Sequence, residues 1–212
     1  QAGADLAHDR TLDADLSLGD TLDQRPHAVT ARGRGAGSPP RARRRRGEDG
    51  LNVRFAINIL ALNLGWFACV AAAARGVPWV GPLVIAGLIA VHLALAPGAA
   101  RGRELGRCLT IGVAGLLMDS VLSVAGLLRF EAAMLPAPLA PLWIGALWAN
   151  FATGLSTSLA WLQTRTLLAA AFGAVGGPLA YFGGARLGAL ELHPATWPSL
   201  AAVGIVWAVA TP

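Results

Sequence analysis

Long apolar runs separated by short polar breaks dominate the chain from Leu51 onward. A bilayer core about 30 Å thick needs about 20 apolar residues in a helix, and most of these runs reach that length. The pattern predicts about six transmembrane helices, at residues 55–74, 77–97, 108–128, about 142–163, about 166–185 and 197–212. Soluble core helices are seldom apolar on every side at this length. We therefore predict an all-α fold, a polytopic integral membrane bundle behind a disordered N-terminal tail.

The first fifty residues differ from the rest, because they are polar, rich in Gly, Ala, Asp and Arg, and show no helical or strand periodicity. We interpret residues 1–50 as a disordered, Arg-rich tail and residues 51–212 as the transmembrane helical domain. No Met precedes Met118, and Leu51 to Arg54 would make a sensible start just before the first helix. A second hypothesis is therefore that residues 1–50 are partly or wholly an artefact of gene-start assignment.

The composition agrees with a membrane protein, since 55% of the residues are hydrophobic and only 14% are charged. A soluble domain is typically about 25% charged, so an ordinary soluble enzyme is disfavoured. The net charge of +5 would also fit a nucleic-acid-binding protein. The arginines, however, lie mostly in the tail and at the predicted helix ends, so we expect no nucleic-acid partner. The expected partners are the lipid bilayer, a lipid or small-molecule ligand, and another membrane protein.

The arginine distribution also predicts an orientation in the membrane. Cytoplasmic flanks of transmembrane helices carry an excess of Arg and Lys. The run Arg41–Arg46 and Arg54 form the densest basic cluster, directly before predicted helix one, so we predict a cytoplasmic N-terminus. Trp79, Trp143 and Trp197 lie at the starts of predicted helices two, four and six, where indole rings at the membrane interface would mark the outer face.

Asp119 is the most informative single residue, because it lies near the middle of predicted helix three. A charge at that depth costs about 2.5–3.5 kcal/mol on insertion scales, so it must be protonated, paired or in contact with water. Counting residues from the helix ends places Asn63, Asn150 and Thr153 at a similar depth. We predict that these four groups converge. They form either a substrate or proton site, or a set of hydrogen bonds that holds the bundle together.

His92 lies one to two turns from the inner end of predicted helix two, near the loop that carries Glu104. Histidine changes its charge near neutral pH, so His92 is a candidate proton relay. The alternative is a hydrogen-bonded structural residue near the interface. For Glu104 we expect an ion pair with a neighbouring arginine at the surface.

Predicted helix five contains Gly176, Gly177 and Pro178 in mid-membrane. This sequence frees backbone groups and predicts a helix break or kink. Broken helices often line transporter sites. Small residues also allow close helix packing, which is the alternative interpretation. No second broken helix appears as an inverted repeat, which lowers the expectation of a transporter.

The sequence contains no P-loop, no HExxH and no GxSxG motif. Cys69 and Cys108 are predicted to lie about 20 Å apart in depth, whereas a disulfide needs Cα atoms within about 7 Å. Two cysteines without histidine partners do not make a metal site. We therefore predict no catalytic residue, no cofactor and no metal, and an enzymatic role is less favoured than a non-enzymatic one.

Several segments resemble one protein family. They are residues 66–69, 74–82, 115–120, 140–143, 147–153 and 173–181, which include the Met118-Asp119-Ser120 and Gly176-Gly177-Pro178 sequences. Together they resemble the DUF2878 family of small bacterial inner-membrane proteins, over about Leu51 to the end of the chain. The resemblance implies a helical architecture and a location in the bacterial inner (plasma) membrane. It implies no activity, because the family has none assigned.

These observations predict a multi-pass inner-membrane protein that is non-enzymatic or accessory and handles a lipid or a small apolar molecule. Two alternatives stay open. One is a small proton-coupled transporter that uses Asp119. The other is a membrane-embedded lipid-modifying enzyme with Asp119 as its acid or base and His92 assisting.

Overall fold

The computed structural model describes residues 41–132 and 134–212, with side chains described from Asn52 onward. Most of the predicted disordered tail, residues 1–40, therefore lies outside the described residues. Within them the chain forms six α-helices and a short two-stranded antiparallel sheet. In chain order the elements are α1 (Arg41–Ala74), α2 (Val80–Leu95), α3 (Arg101–Val124), β1 (Leu128–Phe130), α4 (Leu142–Leu155), α5 (Thr166–Arg186), β2 (Leu190–Leu192) and α6 (Trp197–Ala210), with 3₁₀ turns at Gly98–Ala100 and Ala160–Leu162.

Long and short helices alternate along the chain. Three segments are long and apolar enough to cross a membrane: Asn52–Ala74, Gly98–Val124 and Thr166–Arg186. Helices α2, α4 and α6 are also apolar but have only 16, 14 and 14 residues. At 1.5 Å per residue they are about 21–24 Å long, shorter than the hydrocarbon core. The predicted all-α membrane bundle of about six helices is confirmed, with three helices shorter than expected.

Helix α1 begins at Arg41, so it includes the basic run and crosses the predicted domain boundary at residue 51. Extending an existing helix adds one hydrogen bond per residue without a new nucleation cost, and Arg and Ala are good helix formers. Residues 41–50 are therefore helical, whereas the sequence analysis assigned them to the tail.

Helix α4 ends at Leu155, before the predicted end at residue 163. The next residues carry hydroxyl groups that bond to the preceding turn. Ser156 Oγ and Thr157 Oγ1 both donate to the carbonyl of Thr153, at 3.2 and 2.6 Å. Ser and Thr side chains that bond the backbone in this way compete with the helix, and the chain continues as turns.

The sequence analysis predicted a break or kink at Gly176, Gly177 and Pro178, and α5 does not break there, since its helix runs unbroken through these residues. Pro178 lacks the N–H that would bond to the carbonyl of Ala174. Gly204 of α6 packs against this position, since a Cβ added there would lie 3.2 Å from the Ala174 oxygen and 3.4 Å from the Pro178 ring. Helix α6 therefore packs closely on α5 where the proline frees this carbonyl.

The helices pack as two groups. Helix α3 lies mainly against α4, and α1 and α2 also pack on α4. Helices α5 and α6 form a hairpin that packs extensively on itself. This hairpin meets the first group through α6 against α3 and through the pairing of β2 with β1. The space between α5 and the first group is therefore incompletely filled.

The small sheet joins the ends of α3 and α5, the two helices that precede its strands. Its antiparallel register aligns Leu128 with Leu192, Arg129 with Glu191 and Phe130 with Leu190. Both helices end in a glycine with positive φ, Gly126 at 71° and Gly188 at 83°. Only glycine adopts this conformation without strain, which explains the sharp exit from each helix into its strand.

Candidate functional site

A cavity of about 390 Å³ lies between α1, α4 and α5. Pockets for small molecules usually measure about 300–1,000 Å³, so the cavity can hold a ligand. Among the described residues, none that lines it carries a charge. Its lining polar side chains are neutral, chiefly Asn63, Asn150 and Tyr181. The cavity therefore suits an uncharged molecule or the uncharged part of a larger one.

Aromatic side chains concentrate on this cavity. Half of the chain's aromatic residues line it: Trp66, Trp143, Trp148, Phe151, Phe172, Tyr181 and Trp207. Trp148 and Trp207 stack with their ring centroids 4.2 Å apart and their planes at 21°. Phe151 meets Trp207 edge-on at 5.0 Å. The wall formed by α4 and α6 is therefore built of rigid rings held against one another.

Glycines on α5 leave the cavity open. Gly176 lines it, and a Cβ added at Gly176 would meet no atom within 4 Å. About two turns further, a Cβ added at Gly183 would lie 3.3 Å from the Trp66 ring, so the indole of α1 reaches across to α5 at that level. The glycine-rich sequence of α5 thus produces open space at one position and close approach at another.

Asp119 lies behind the cavity wall and binds two of the wall's side chains. Trp148 Nε1 donates to Asp119 Oδ2 at 2.8 Å, and the Tyr181 hydroxyl donates to the same oxygen at 2.6 Å. Asp119 is only 1% exposed and does not line the cavity, whereas Trp148 and Tyr181 do. The carboxyl group therefore links α3, α4 and α5 through hydrogen bonds.

The local sequence explains how Trp148 reaches Asp119. Gly115 precedes Asp119 by four residues, so both lie on the same face of α3. A Cβ at Gly115 would overlap the Trp148 indole, so the ring lies directly on the glycine. The missing side chain at Gly115 lets the indole nitrogen approach the carboxyl group one turn further along.

The other predicted members of the polar cluster, Asn63, Asn150 and Thr153, form hydrogen bonds with groups other than Asp119. Asn63 is exposed on α1, and its Nδ2 donates to the carbonyl of Ile59 on its own helix at 2.8 Å. Asn150 Nδ2 donates to the carbonyls of Ala61 and Leu62, at 3.3 and 3.4 Å, so it joins α4 to α1. Asn63 and Asn150 both line the cavity. No hydrogen bond between described residues links either of them to Asp119.

Thr153 belongs to a separate network that contains Asn58, a residue that the sequence analysis did not select. Asn58 Nδ2 donates to Thr153 Oγ1 at 2.9 Å, and Ser158 Oγ donates to Asn58 Oδ1 at 2.6 Å. Thr153 Oγ1 in turn donates to the carbonyl of Asn150 at 2.7 Å. The asparagine of α1 that pairs with α4 is therefore Asn58. A sequence signal existed, because Asn58 shares a helical stripe with Gly65 and other small buried residues of α1.

His92 contacts Glu104 in a polar cluster at the end of the bundle. Its Nε2 lies 3.3 Å from Glu104 Oε2, which also accepts a 2.7 Å hydrogen bond from Ser156 Oγ. Arg107 Nη2 lies 3.3 Å from Glu104 Oε1. Glu104 is only 8% exposed, so its ion pair with Arg107 is mostly buried, where the sequence analysis expected a surface pair. This cluster joins α2, α3 and the end of α4, and none of its members lines the aromatic cavity.

Cys69 and Cys108 are both buried and carry free thiols. The described residues contain no group of three or more His, Cys, Asp or Glu side chains that could hold a metal ion.

Comparison with known protein families matches residues 55–212 to the family described as "Protein of unknown function (DUF2878)". The chain belongs to this family. The matched region includes every residue that lines the cavity, together with Asp119 and His92. No curated protein and no solved structure matches the chain. The family therefore confirms the resemblance seen in the sequence, and any function must be argued from the site.

Proposed function

We propose that this DUF2878 protein is a non-enzymatic or accessory membrane protein that holds a lipid or another small apolar molecule between α1, α4 and α5. The observation that carries this proposal is the cavity of about 390 Å³ with an uncharged, aromatic lining. An empty apolar cavity forfeits dispersion contacts along its whole surface. An apolar occupant restores those contacts, and rigid aromatic rings supply large contact areas at little conformational cost.

The geometry favours binding over the two alternatives that depend on Asp119. A proton-coupled carrier and a lipid-modifying enzyme both require this carboxyl group to meet water or a substrate. Asp119 is almost fully buried, and its Oδ2 is occupied by the Trp148 and Tyr181 donors. A buried carboxyl group whose Oδ2 accepts hydrogen bonds from two neighbouring helices fits a structural role, of the kind that polar residues commonly have in membrane bundles.

The bacterial inner membrane and a cytoplasmic N-terminus are part of the proposal. Arginines support this orientation because they gather where α2 ends and α3 begins. Arg54 donates to the carbonyl of Leu95, and Arg101 donates to the carbonyls of Ala94 and Ala96. These cations satisfy the free carbonyls at the negative end of α2 and mark one basic end of the bundle. Protease digestion of an N-terminal tag in spheroplasts tests the orientation, since a cleaved tag would place it outside.

Photolabelling of the full chain tests the binding proposal. The protein in phosphatidylcholine nanodiscs is irradiated with a hexadecane that carries a diazirine, and the labelled peptides are mapped by mass spectrometry. We expect labelling on the cavity faces of α1, α4 and α5 that excess unlabelled hexadecane displaces. Leu167 and Val209, which are exposed on the outer surface, should label without saturation. Labelling confined to such surface positions would contradict the proposal.

A further inference from the structure

A second groove lies between α1, α2 and α4, and among the described residues none lines both this groove and the aromatic cavity. Its volume is about 190 Å³. Its α1 side begins at Arg54, two residues inside the apolar segment that starts at Asn52, and reaches Leu64. These ten residues rise about 15 Å along the helix, half of a hydrocarbon core about 30 Å thick. The groove therefore extends through about one leaflet of the membrane.

Polar and apolar side chains line different parts of the groove. The Arg54 guanidinium donates to the carbonyl of Leu95 at 2.5 Å, which places this end of the groove beside the end of α2. The polar lining residues lie within about one turn of this level: Arg54, Asn58, His92, Thr153 and Thr157. Further along, the lining is apolar and consists of Leu60, Ala61, Leu64 and Leu88. Such a groove fits an amphipathic molecule whose polar group lies at Arg54.

The polar end of the groove carries a positive charge. Arg101 donates to the carbonyls of Ala94 and Ala96, at 3.2 and 3.4 Å. These two carbonyls flank the Leu95 carbonyl that Arg54 binds, so both guanidinium groups lie at the end of α2. Neither forms an ion pair with another of the described side chains. A guanidinium has five N–H donors, and Leu95 accepts from one in Arg54, so others remain for an anion.

His92 adds less charge than Arg54 to the groove, because its Nε2 lies 3.3 Å from the Glu104 carboxylate. Arg54 is only partly buried, so its guanidinium is open to an approaching group. The group that recognises an anion at this end is therefore Arg54, with Arg101 beside it.

We propose that the groove binds an anionic phospholipid, whose acyl chain lies along Leu60 and Leu64 and whose phosphate group accepts hydrogen bonds from Arg54. Charge-assisted hydrogen bonds between guanidinium and phosphate groups are strong. Basic residues at the membrane surface attract anionic lipids. A zwitterionic phospholipid has the same phosphate group but also a cation, which the two arginines repel. This site goes beyond the proposed function, since it lies outside the aromatic cavity.

Photolabelling of the full chain tests the site. The protein in phosphatidylcholine nanodiscs receives a trace of phosphatidylglycerol or phosphatidylcholine that carries a diazirine in the middle of one acyl chain, and the labelled peptides are mapped by mass spectrometry. We expect the phosphatidylglycerol probe to label residues 60–64 and 88–91 more strongly than the phosphatidylcholine probe does. Equal labelling by the two probes would overturn the proposal. An equally large preference at Leu109 and Leu117, which are exposed on α3 outside the groove, would also overturn it.

Arg54→Gln tests the headgroup contact, because it removes the charge and keeps a polar side chain. Arg75→Gln is the matched control, since Arg75 lies at the other end of α1, outside the groove, and likewise donates to a backbone carbonyl, that of Ala71 at 2.9 Å. We expect the preference for phosphatidylglycerol to fall about fivefold in Arg54→Gln, the effect of one basic residue near an anionic surface. Arg75→Gln should keep it, as should Arg54→Lys, which retains the charge. Equal preferences in Arg54→Gln and Arg75→Gln would overturn the proposal.

Two further measurements apply to the wild type, so they hold even if Arg54→Gln fails to fold. The preference for phosphatidylglycerol should fall at an ionic strength of about 1 M, where the Debye length is about 3 Å, and a preference that salt leaves unchanged would overturn the proposal. Glycerol phosphate carries the charge without acyl chains and should not displace the probe. Displacement would overturn the assignment to a lipid. Labelling of the aromatic cavity by the diazirine-bearing hexadecane is read on other residues, so either proposal can fail while the other stands.

Discussion

The Tyr181 hydroxyl donates a 2.6 Å hydrogen bond to Asp119 Oδ2 and so joins α5 to α3 inside the bundle. Helices α5 and α6 otherwise pack mainly on each other. This bond is therefore one of few buried polar links between the hairpin and the first four helices. It also fixes the Tyr181 ring in the wall of the cavity.

Removal of this hydroxyl group should weaken the link between the two groups of helices. Tyr181→Phe keeps the ring and deletes the donor, and we expect a loss of about 1–2 kcal/mol in the free energy of unfolding, since Trp148 still donates to the same carboxyl oxygen. Denaturant titration in detergent measures it. Thr110→Ala, which removes an exposed hydroxyl from α3, is the control. Equal stability of both variants would show that the bond contributes nothing.

Two substitutions at Asp119 separate a structural role from an ionic one. Asn retains an oxygen that accepts from both Tyr181 and Trp148, whereas Leu leaves both donors buried without a partner. We expect Asp119→Asn to keep the fold and the photolabelling of the cavity, and Asp119→Leu to lose about 2–5 kcal/mol of stability. Unfolding and labelling are measured on both. If Asp119→Asn abolished labelling while remaining folded, the carboxyl group itself would be required, which favours the carrier or enzyme alternatives.

Substitution by alanine should have different effects on stability at two adjacent glycines of α5, Gly176 and Gly177. A Cβ at Gly177 would overlap the Trp207 ring, so Gly177→Ala forces α5 and α6 apart and should cost about 1–3 kcal/mol. A Cβ at Gly176 meets nothing within 4 Å, so Gly176→Ala should be neutral or stabilising by up to about 1 kcal/mol. Thermal unfolding of the pair measures the difference. Equal effects at both positions would contradict the packing of Trp207 on α5.

The buried cluster around Glu104 predicts a loss of stability at one end of the bundle. Glu104→Leu would leave Arg107, whose side chain is 32% exposed, without its ion partner and remove one acceptor for Ser156, so we expect a loss of about 1–3 kcal/mol. Glu104→Gln keeps an acceptor and should lose less. Glu131→Leu changes an exposed acid and is the control. The free energy of unfolding is measured by chemical denaturation. Equal losses in Glu104→Leu and Glu131→Leu would show that the buried cluster does not contribute to stability.

The helical membrane architecture could be predicted because its sequence signal, a long apolar run, recurs several times along the chain. Apolar runs of about 20 residues identify spanning helices. Helix lengths were less predictable, because hydroxyl groups after Thr153 compete for the backbone of α4, whereas α5 stays helical through Pro178.

The site was less predictable, because depth along a helix does not determine which face a residue occupies. Asn63 and Asn58 both lie in the same apolar run, but only Asn58 shares the small-residue face that packs on α4. Trp143 was predicted to lie at the membrane interface because it stands at the start of predicted helix four, yet it is 1% exposed and lines the cavity. The partners of Asp119 come from α4 and α5, and such pairings depend on packing between distant segments.

The central claim, that the cavity binds an apolar molecule, is tested most directly by filling the cavity. Gly176→Leu places its Cβ where no atom lies within 4 Å, on the wall of the cavity, and Gly87→Leu adds the same side chain at an exposed position on α2 whose Cβ also has nothing within 4 Å. Both variants are photolabelled with the diazirine-bearing hexadecane in nanodiscs. We predict that Gly176→Leu loses displaceable labelling of the cavity while Gly87→Leu keeps it, with both as stable as the wild type. Equal labelling of the two variants would contradict the claim.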